Sequence, residues 1–295
     1  MTHNDASFPP RIHSGAADPK PQKPVKSRDW MPIILIGIAI AYLGLVLYIP
    51  SANVFYQAFK KGVGPFLSNL AHPAFLHAAW LTLILAVITV PLNTVFGLCA
   101  AWAITRHKFP GRAFVLSIID LPFSISPVVA GLMIVLLYGR NGWFGGWLQA
   151  HNINIIFAFP GMVLATAFVT MPFVAREVIP VLEEFGKDQE EAARTLGAED
   201  WQIFWRVTLP SIRWGLLYGV ILTNARAMGE FGAVSVVSGN IADKTQSLPL
   251  FVEDAYKQYE TEAAYSAAVL LALLAVVTLV LKEILERKTR IKDVE

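Results

Sequence analysis

The chain has 295 residues, of which 55% are hydrophobic and only 16% charged, with a formal net charge of +2. Mean hydropathy is +0.52. Several apolar runs reach bilayer-spanning length, which excludes a large soluble α-protein, and the near-balanced charge gives no basis for nucleic-acid binding.

Residues 1–29 carry five prolines between Pro9 and Pro24, scattered charges and few large apolar side chains. That composition predicts a disordered cytoplasmic tail. The apolar run from Trp30 to Pro50 follows Lys20, Lys23, Lys26 and Arg28. It is too long for the apolar region of a cleaved signal peptide, and more such runs follow, so it reads as a first membrane helix over 30–50. Further spans are expected near 75–104, 114–138, 156–182, 212–237 and 264–285. Each has about 20 residues or more, enough to cross a hydrocarbon core of roughly 30 Å. The expected fold class is all-α, a polytopic membrane protein with six transmembrane helices and a short tail at 286–295.

Proline should interrupt these spans: Pro91 the second, Pro122 and Pro127 the third, Pro172 the fourth. Such breaks survive where neighbouring helices or a cavity satisfy the freed backbone groups. The single cysteine, Cys99, excludes an intrachain disulfide and reads as a small core residue. His72 and His77 show no metal-ligand pattern and read as interfacial, and no metal site is expected. Asn93 and Asn224 are expected to hydrogen-bond between helices.

Basic residues fix the topology. The tail, the loop Arg106–Arg112, the segment 183–213 and the C-terminal end hold 17 of the 24 Lys and Arg, whereas the alternate loops hold five. Both termini on the cytoplasmic side satisfy the positive-inside rule, and the bilayer is the first partner implied.

The segment from Glu183 to Pro210 is unlike a short connector. A helical stretch containing Glu190, Glu191, Ala192, Ala193, Arg194 and Leu196 is broken at Gly197, as a glycine beyond a helix end commonly does. A second short helix follows, with Trp201, Phe204 and Trp205 on one face, and Pro210 is expected to end the unit. Aromatics on a surface helix need a membrane interface, the protein's own helices or a partner groove to cover them.

Glu191-Ala192-Ala193, then Gly197 after three intervening residues, then Val207-x-Leu209-Pro210 resembles the EAA loop of binding-protein-dependent ABC importer permeases, with Val in place of the usual Ile. The resemblance implies a type I (MetI-like) permease fold over about 74–285. It also implies a coupling loop, 183–210, that docks on a separate ABC ATPase through Glu191, Ala192, Ala193, Gly197, Leu209 and Pro210. The chain has no phosphate-binding G-x-x-x-x-G-K-[ST] loop of its own, since Asp243-Lys244-Thr245 lacks the glycines. No catalytic residue and no cofactor are therefore expected here, with ATP and Mg²⁺ on the partner.

The turn Arg106–Arg112, the stretch Leu121–Gly131 and the stretch Ala225–Ala233 are similar to the sulfate, thiosulfate and molybdate branch of such permeases. Ser247-Leu248-Pro249-Leu250 and the Ala-rich last span look most like its W-type sulfate/thiosulfate members. That resemblance implies a second homologous permease, ATPase subunits, a periplasmic sulfate/thiosulfate-binding protein, and residence in the inner (plasma) membrane. A molybdate or tungstate permease stays open as an alternative. So does an ion-coupled secondary transporter, although no second copy of the broken-helix pattern is evident.

Arg226 and Glu230, four residues apart within the expected fifth span, are candidates for the translocation path. Intramembrane charges usually face the bundle or a water-filled route. Either the pair offers positive potential to a passing dianion or it locks helix packing. Ser124 and Ser126 flank proline-broken backbone, so their hydroxyls either meet the oxyanion or satisfy their own chain.

Overall fold

The structure, a computed structural model, describes residues 30–292, without the side chains of 281, 282 and those beyond 284. The expected tail at 1–29 lies outside the described residues. The chain divides into two units at Pro50. In the first, α1 (Trp30–Leu43) is followed by a π turn, Gly44–Tyr48. Helix α2 (Ile49–Phe59) starts just before that boundary, and the second unit contains α3 (Val63–Leu70), α4 (Pro73–Arg106), α5 (Arg112–Ser124), α6 (Pro127–Tyr138), α7 (Gly145–Ala150) and α8 (Phe159–Phe185). It continues with α9 (Asp188–Thr195), α10 (Asp200–Ile203), α11 (Leu209–Met228), α12 (Gly232–Ser238), α13 (Leu248–Lys257) and α14 (Thr261–Lys292). Among the described residues there is no strand, as an all-α chain requires.

Four helical stretches are long and apolar enough to cross a membrane: Trp30–Phe59, Pro73–Arg106, Phe159–Phe185 and Thr261–Val280. The pair α5 and α6, bent by 111°, makes a fifth if it counts as one span. The fifth expected span, 212–237, is not one helix. Its first part, α11, carries Arg213, Asn224 and Arg226 and ends at Met228, and the chain resumes as α12 after a break.

The prolines divide into two kinds. Pro91, Pro122, Pro172 and Pro180 sit inside continuous helices, so the expected interruptions at Pro91, Pro122 and Pro172 do not occur. Each removes one backbone donor, a loss that packing against neighbours can absorb in a bundle. Pro127 does break its span. Ile125 and Ser126 are extended before it, as residues preceding proline prefer, and Pro127 opens α6 at a first-turn position.

Helix α8 is the axis of the second unit, packing against α4, α5, α6, α11 and α12. Val174, Val178 and Leu182 are fully buried with Ala101 of α4 and Ile212 of α11. Two glycines let the backbones close on this axis. A β-carbon at Gly97 would fall 2.7 Å from Val174 Cβ, and one at Gly219 would fall 3.0 Å from Val174 Cα. Gly215 and Gly219 form a small-xxx-small face, the usual means of close approach where lipid gives no hydrophobic drive. Asn93 adds interhelical hydrogen bonds, donating to Ala167 O at 2.9 Å and Thr170 Oγ1 at 2.7 Å. Asn224, by contrast, donates within its own helix to Met228 Sδ. Cys99 is exposed rather than a core residue, because α4 turns only one face to α8.

Replacing Gly97 by Ala forces α4 away from Val174 and the backbone of Ala175, and overpacking of this kind costs about 1–3 kcal/mol. The thermal midpoint of the detergent-solubilised protein should fall. The same change at Gly64, which has nothing within 4 Å, should leave it unchanged or raise it.

Candidate functional site

The chain leaves α8 at Phe185 and forms a two-helix hairpin. Helix α9 has Asp188, Glu190 and Glu191 in its first turn and Arg194 in its last, charges that complement the helix dipole at both ends. Gly197 then takes φ +86°, as the sequence predicts. The Ala198 N–H reaches Ala193 O and the Gly197 N–H reaches Arg194 O, which is the Schellman pattern that closes a helix through a left-handed residue. Glu199 and Gln202 form a reciprocal capping box at the start of α10. Arg194 pairs with Asp200 at 2.6 Å across the turn, and that hydrogen bond holds the guanidinium above its ordinary pKa.

Pro210 does not end the hairpin. A π turn, Phe204–Thr208, links α10 directly to α11, with the Leu209 N–H donating to Phe204 O. The widened turn takes up the proline, whose ring would clash with the preceding turn of a regular α-helix. Leu209 and Pro210 therefore belong to the first turn of a long helix, so the hairpin runs into α11 without a break.

One buried ion pair anchors the hairpin. Arg106, the last residue of α4, and Glu190 of α9 keep only 7% and 11% of their side chains exposed. Arg106 Nε lies 2.8 Å from Glu190 Oε2, and its Nη2 donates to Oε1 at 2.9 Å. Arg106 Nη1 also donates to Leu182 O near the end of α8, at 3.1 Å. The Thr208 hydroxyl donates to Glu190 Oε1 at 2.8 Å, and Lys187 Nζ donates to Arg106 O at 2.9 Å. One carboxylate thus ties α9 to α4 directly, to α8 through Arg106, and to the π turn that begins α11. No sequence pattern singled out Glu190 for this role.

Glu191, Ala192 and Gly197 are exposed, and Ala193 is half-buried. Around them stand Leu196, 89% exposed, Trp201, 69%, and Trp205, 49%. The Trp201 and Trp205 rings meet edge to face, and Phe204 joins Trp205 while turning partly inward. This knob carries acidic, small and large apolar groups that its own chain does not cover.

The path candidates lie at the two breaks. Ser124 ends α5 and Ser126 precedes Pro127; both are exposed, and Ser126 makes no capping hydrogen bond. Arg226 Nη1 pairs with Glu230 Oε2 at 2.6 Å, but Glu230 is in the break beyond α11 rather than in a helix. Its other oxygen accepts the Ala233 N–H at 2.8 Å, capping α12, and its side chain is 1% exposed. Glu230 is thus buried as a cap on α12, whereas Arg226 keeps 31% of its side chain open. The two breaks are neighbours, with Gly232 against Pro127 and α12 packed on α6. No contact joins the serines to Arg226 among the described residues.

A further charged pair within the expected spans has no counterpart in the sequence reading. Arg176 of α8 meets Asp120 of α5 at 2.8 Å, with half-exposed side chains on both sides. Each charge is visible in its apolar run, but their pairing depends on how the two helices register. No cluster of metal-ligating side chains occurs among the described residues.

Replacing Glu190 with Ala leaves Arg106 buried without its carboxylate, a loss of about 3–5 kcal/mol. Limited proteolysis should then cut within 183–210 far faster than in the parent chain. Glu191→Ala, at an exposed position, should leave the cleavage rate unchanged.

The family described as binding-protein-dependent transport system inner membrane component matches residues 93–291. The chain is 70% identical over 256 residues to the sulfate transport system permease protein CysW of Synechocystis sp., covering 87% of this chain and 93% of that one. It is 55% identical to the CysW protein of Escherichia coli K12, covering 88% and 89% of the two chains. To the sulfate transport system permease protein CysT of the same organism it is 38% identical, covering 85% and 92%. A chain of a bacterial alginate ABC transporter shares the fold at a TM-score of 0.74 and 18% identity, covering 89% of this chain and 96% of that one. A chain of the MetNI methionine ABC transporter does so at 0.56 and 19%, covering 72% and 95%. The chain belongs to the binding-protein-dependent transport system inner membrane component family.

Proposed function

We propose that this chain is the membrane-spanning permease subunit of an ATP-driven importer of sulfate and thiosulfate. The observation that carries the proposal is the α9–α10 hairpin, rigidly tied to three long helices yet presenting an uncovered knob. A surface of that kind suits a groove on a separate ATPase. Glu191 offers a charge for a basic group, Ala192 and Gly197 permit close approach, and Leu196, Trp201 and Trp205 supply apolar area.

ATP and Mg²⁺ belong to that partner. The one Lys-Thr dipeptide near a loop, Lys244-Thr245, does not fit a phosphate cradle, because Thr245 is buried and donates to Ser238 O at 2.7 Å. The chain is then a transport subunit rather than an enzyme. In the proposed cycle, closure of the ATPase pair displaces the knob, the Arg106–Glu190 pair passes that motion to α4 and α8, and the π turn passes it to α11. A second homologous permease completes the pore, and a periplasmic binding protein delivers the oxyanion. The identities to sulfate permease proteins support the substrate, and the weight of basic residues supports a cytoplasmic hairpin with both termini on that side of the inner membrane.

Glu191→Lys reverses the exposed charge without touching the buried pair. It should reduce both ATPase co-purification and sulfate uptake at least tenfold, with thermal stability unchanged. In proteoliposomes uptake should require ATP and ignore ionophores. Uptake that follows an ion gradient would instead identify a secondary transporter, and uptake of molybdate in preference to sulfate would reassign the substrate.

A further inference from the structure

Charges inside a membrane-spanning helix face water or another protein group, since lipid cannot solvate them. Arg176 lies nine residues before the end of α8, about 14 Å from the hairpin end of that helix at roughly 1.5 Å per residue. That places it well within the span. Its side chain is nevertheless 55% exposed, and that of its partner Asp120 is 40% exposed. The pair therefore lies on the surface of the α5/α8 seam and does not lock a buried core.

Behind its apolar contacts between Ile119 and Ala175, the seam carries polar groups at intervals on its exposed side. Arg112 and Glu183 pair at 2.7 Å at the hairpin end, also half-exposed. Asp120 follows eight residues along α5, and Ser124 one further turn on, on the same face. The chain then breaks at exposed Ser126. Phe123, 49% exposed, covers one side of the Arg176 guanidinium with its ring centroid 4.8 Å away. Paired charges and hydroxyls thus recur from the proline break to the hairpin end, on side chains that stay half-exposed among the described residues.

Resting on the reading of this chain as an oxyanion permease, we propose that Arg176 is a transient binding site for the transported dianion. The guanidinium presents a planar fork that matches tetrahedral oxyanion oxygens. Asp120 competes for the same donors, so the anion binds by displacing a carboxylate and leaves when the carboxylate returns. A route needs sites that bind weakly enough to release, and an unopposed guanidinium would not. Asp120 is the positioning residue that sets this balance. Ser124 and Ser126 offer the next hydrogen bonds along the seam.

The test uses the assembled transporter with Cys99→Ser and Phe123→Cys as background, probed with a water-soluble methanethiosulfonate reagent and sulfate. The thiol should be modified, and saturating sulfate should slow modification at least threefold. Adding Asp120→Asn should lower the half-protecting sulfate concentration at least threefold, and adding Arg176→Gln should abolish protection. An unreactive thiol, or protection indifferent to both changes, overturns the proposal. In the otherwise parental chain, Arg176→Gln should cut sulfate uptake at least tenfold with the ATPase still co-purifying. Rescue of uptake by Asp120→Arg combined with Arg176→Asp would show a packing latch and also overturn it. Failure of the parental transporter to take up sulfate at all would sink the function proposed above. Parental uptake equalled by Arg176→Gln would sink this inference alone.

Discussion

Everything distinctive in this structure is arranged around one buried ion pair. Arg106 and Glu190 are far apart in sequence and come from elements of different character, the end of a long apolar helix and the start of a short polar one. Burying a guanidinium and a carboxylate is costly unless nearly every donor and acceptor is engaged. Here Leu182 O and the Thr208 hydroxyl take up much of the remaining capacity. The arrangement is thus a poor source of net stability and a good source of fixed geometry. It allows an eight-residue helix, too short to hold its shape alone, to sit at one place relative to α4, α8 and α11.

The rest of the fold adds to the same fixed geometry. Gly97 and Gly219 bring α4 and α11 onto Val174 from two sides, so the three helices that share the ion pair also share a close-packed axis. The π turn joins hairpin to helix without a joint. The parts that can yield lie farther along, where α5 gives way to α6 and α11 to α12, and these breaks pack on one another. Under the proposed function, continuous elements at the hairpin end and broken ones deeper in the bundle are what a lever acting on a gate requires.

Much of this was legible in the sequence, for physical reasons that differ by element. Apolar runs announce helices because backbone groups in lipid have nowhere else to bond. Gly197 announced a helix end because its left-handed conformation suits a residue without a β-carbon. The prolines were over-read. A missing donor is cheap inside a bundle, and only Pro127, preceded by extended residues, broke its helix. Pro210 was misread for a related reason, since a π turn absorbs it. The buried role of Glu190 was not legible, because pattern alone does not say which face of α9 turns inward. The pairings Arg106–Glu190 and Asp120–Arg176 were out of reach, as both depend on the register of helices distant in sequence. Arg226 and Glu230 were found together because they are neighbours in the chain, yet the break between them changed the role of Glu230.

The central claim is that the buried pair transmits force from an ATPase to the membrane helices. It is tested most directly by the number of ATP molecules hydrolysed per sulfate moved in proteoliposomes carrying Glu190→Gln. This change keeps shape and one acceptor while removing the charge. The account predicts that hydrolysis continues while transport slackens, so the ratio rises severalfold. A ratio equal to that of the parent transporter would contradict it.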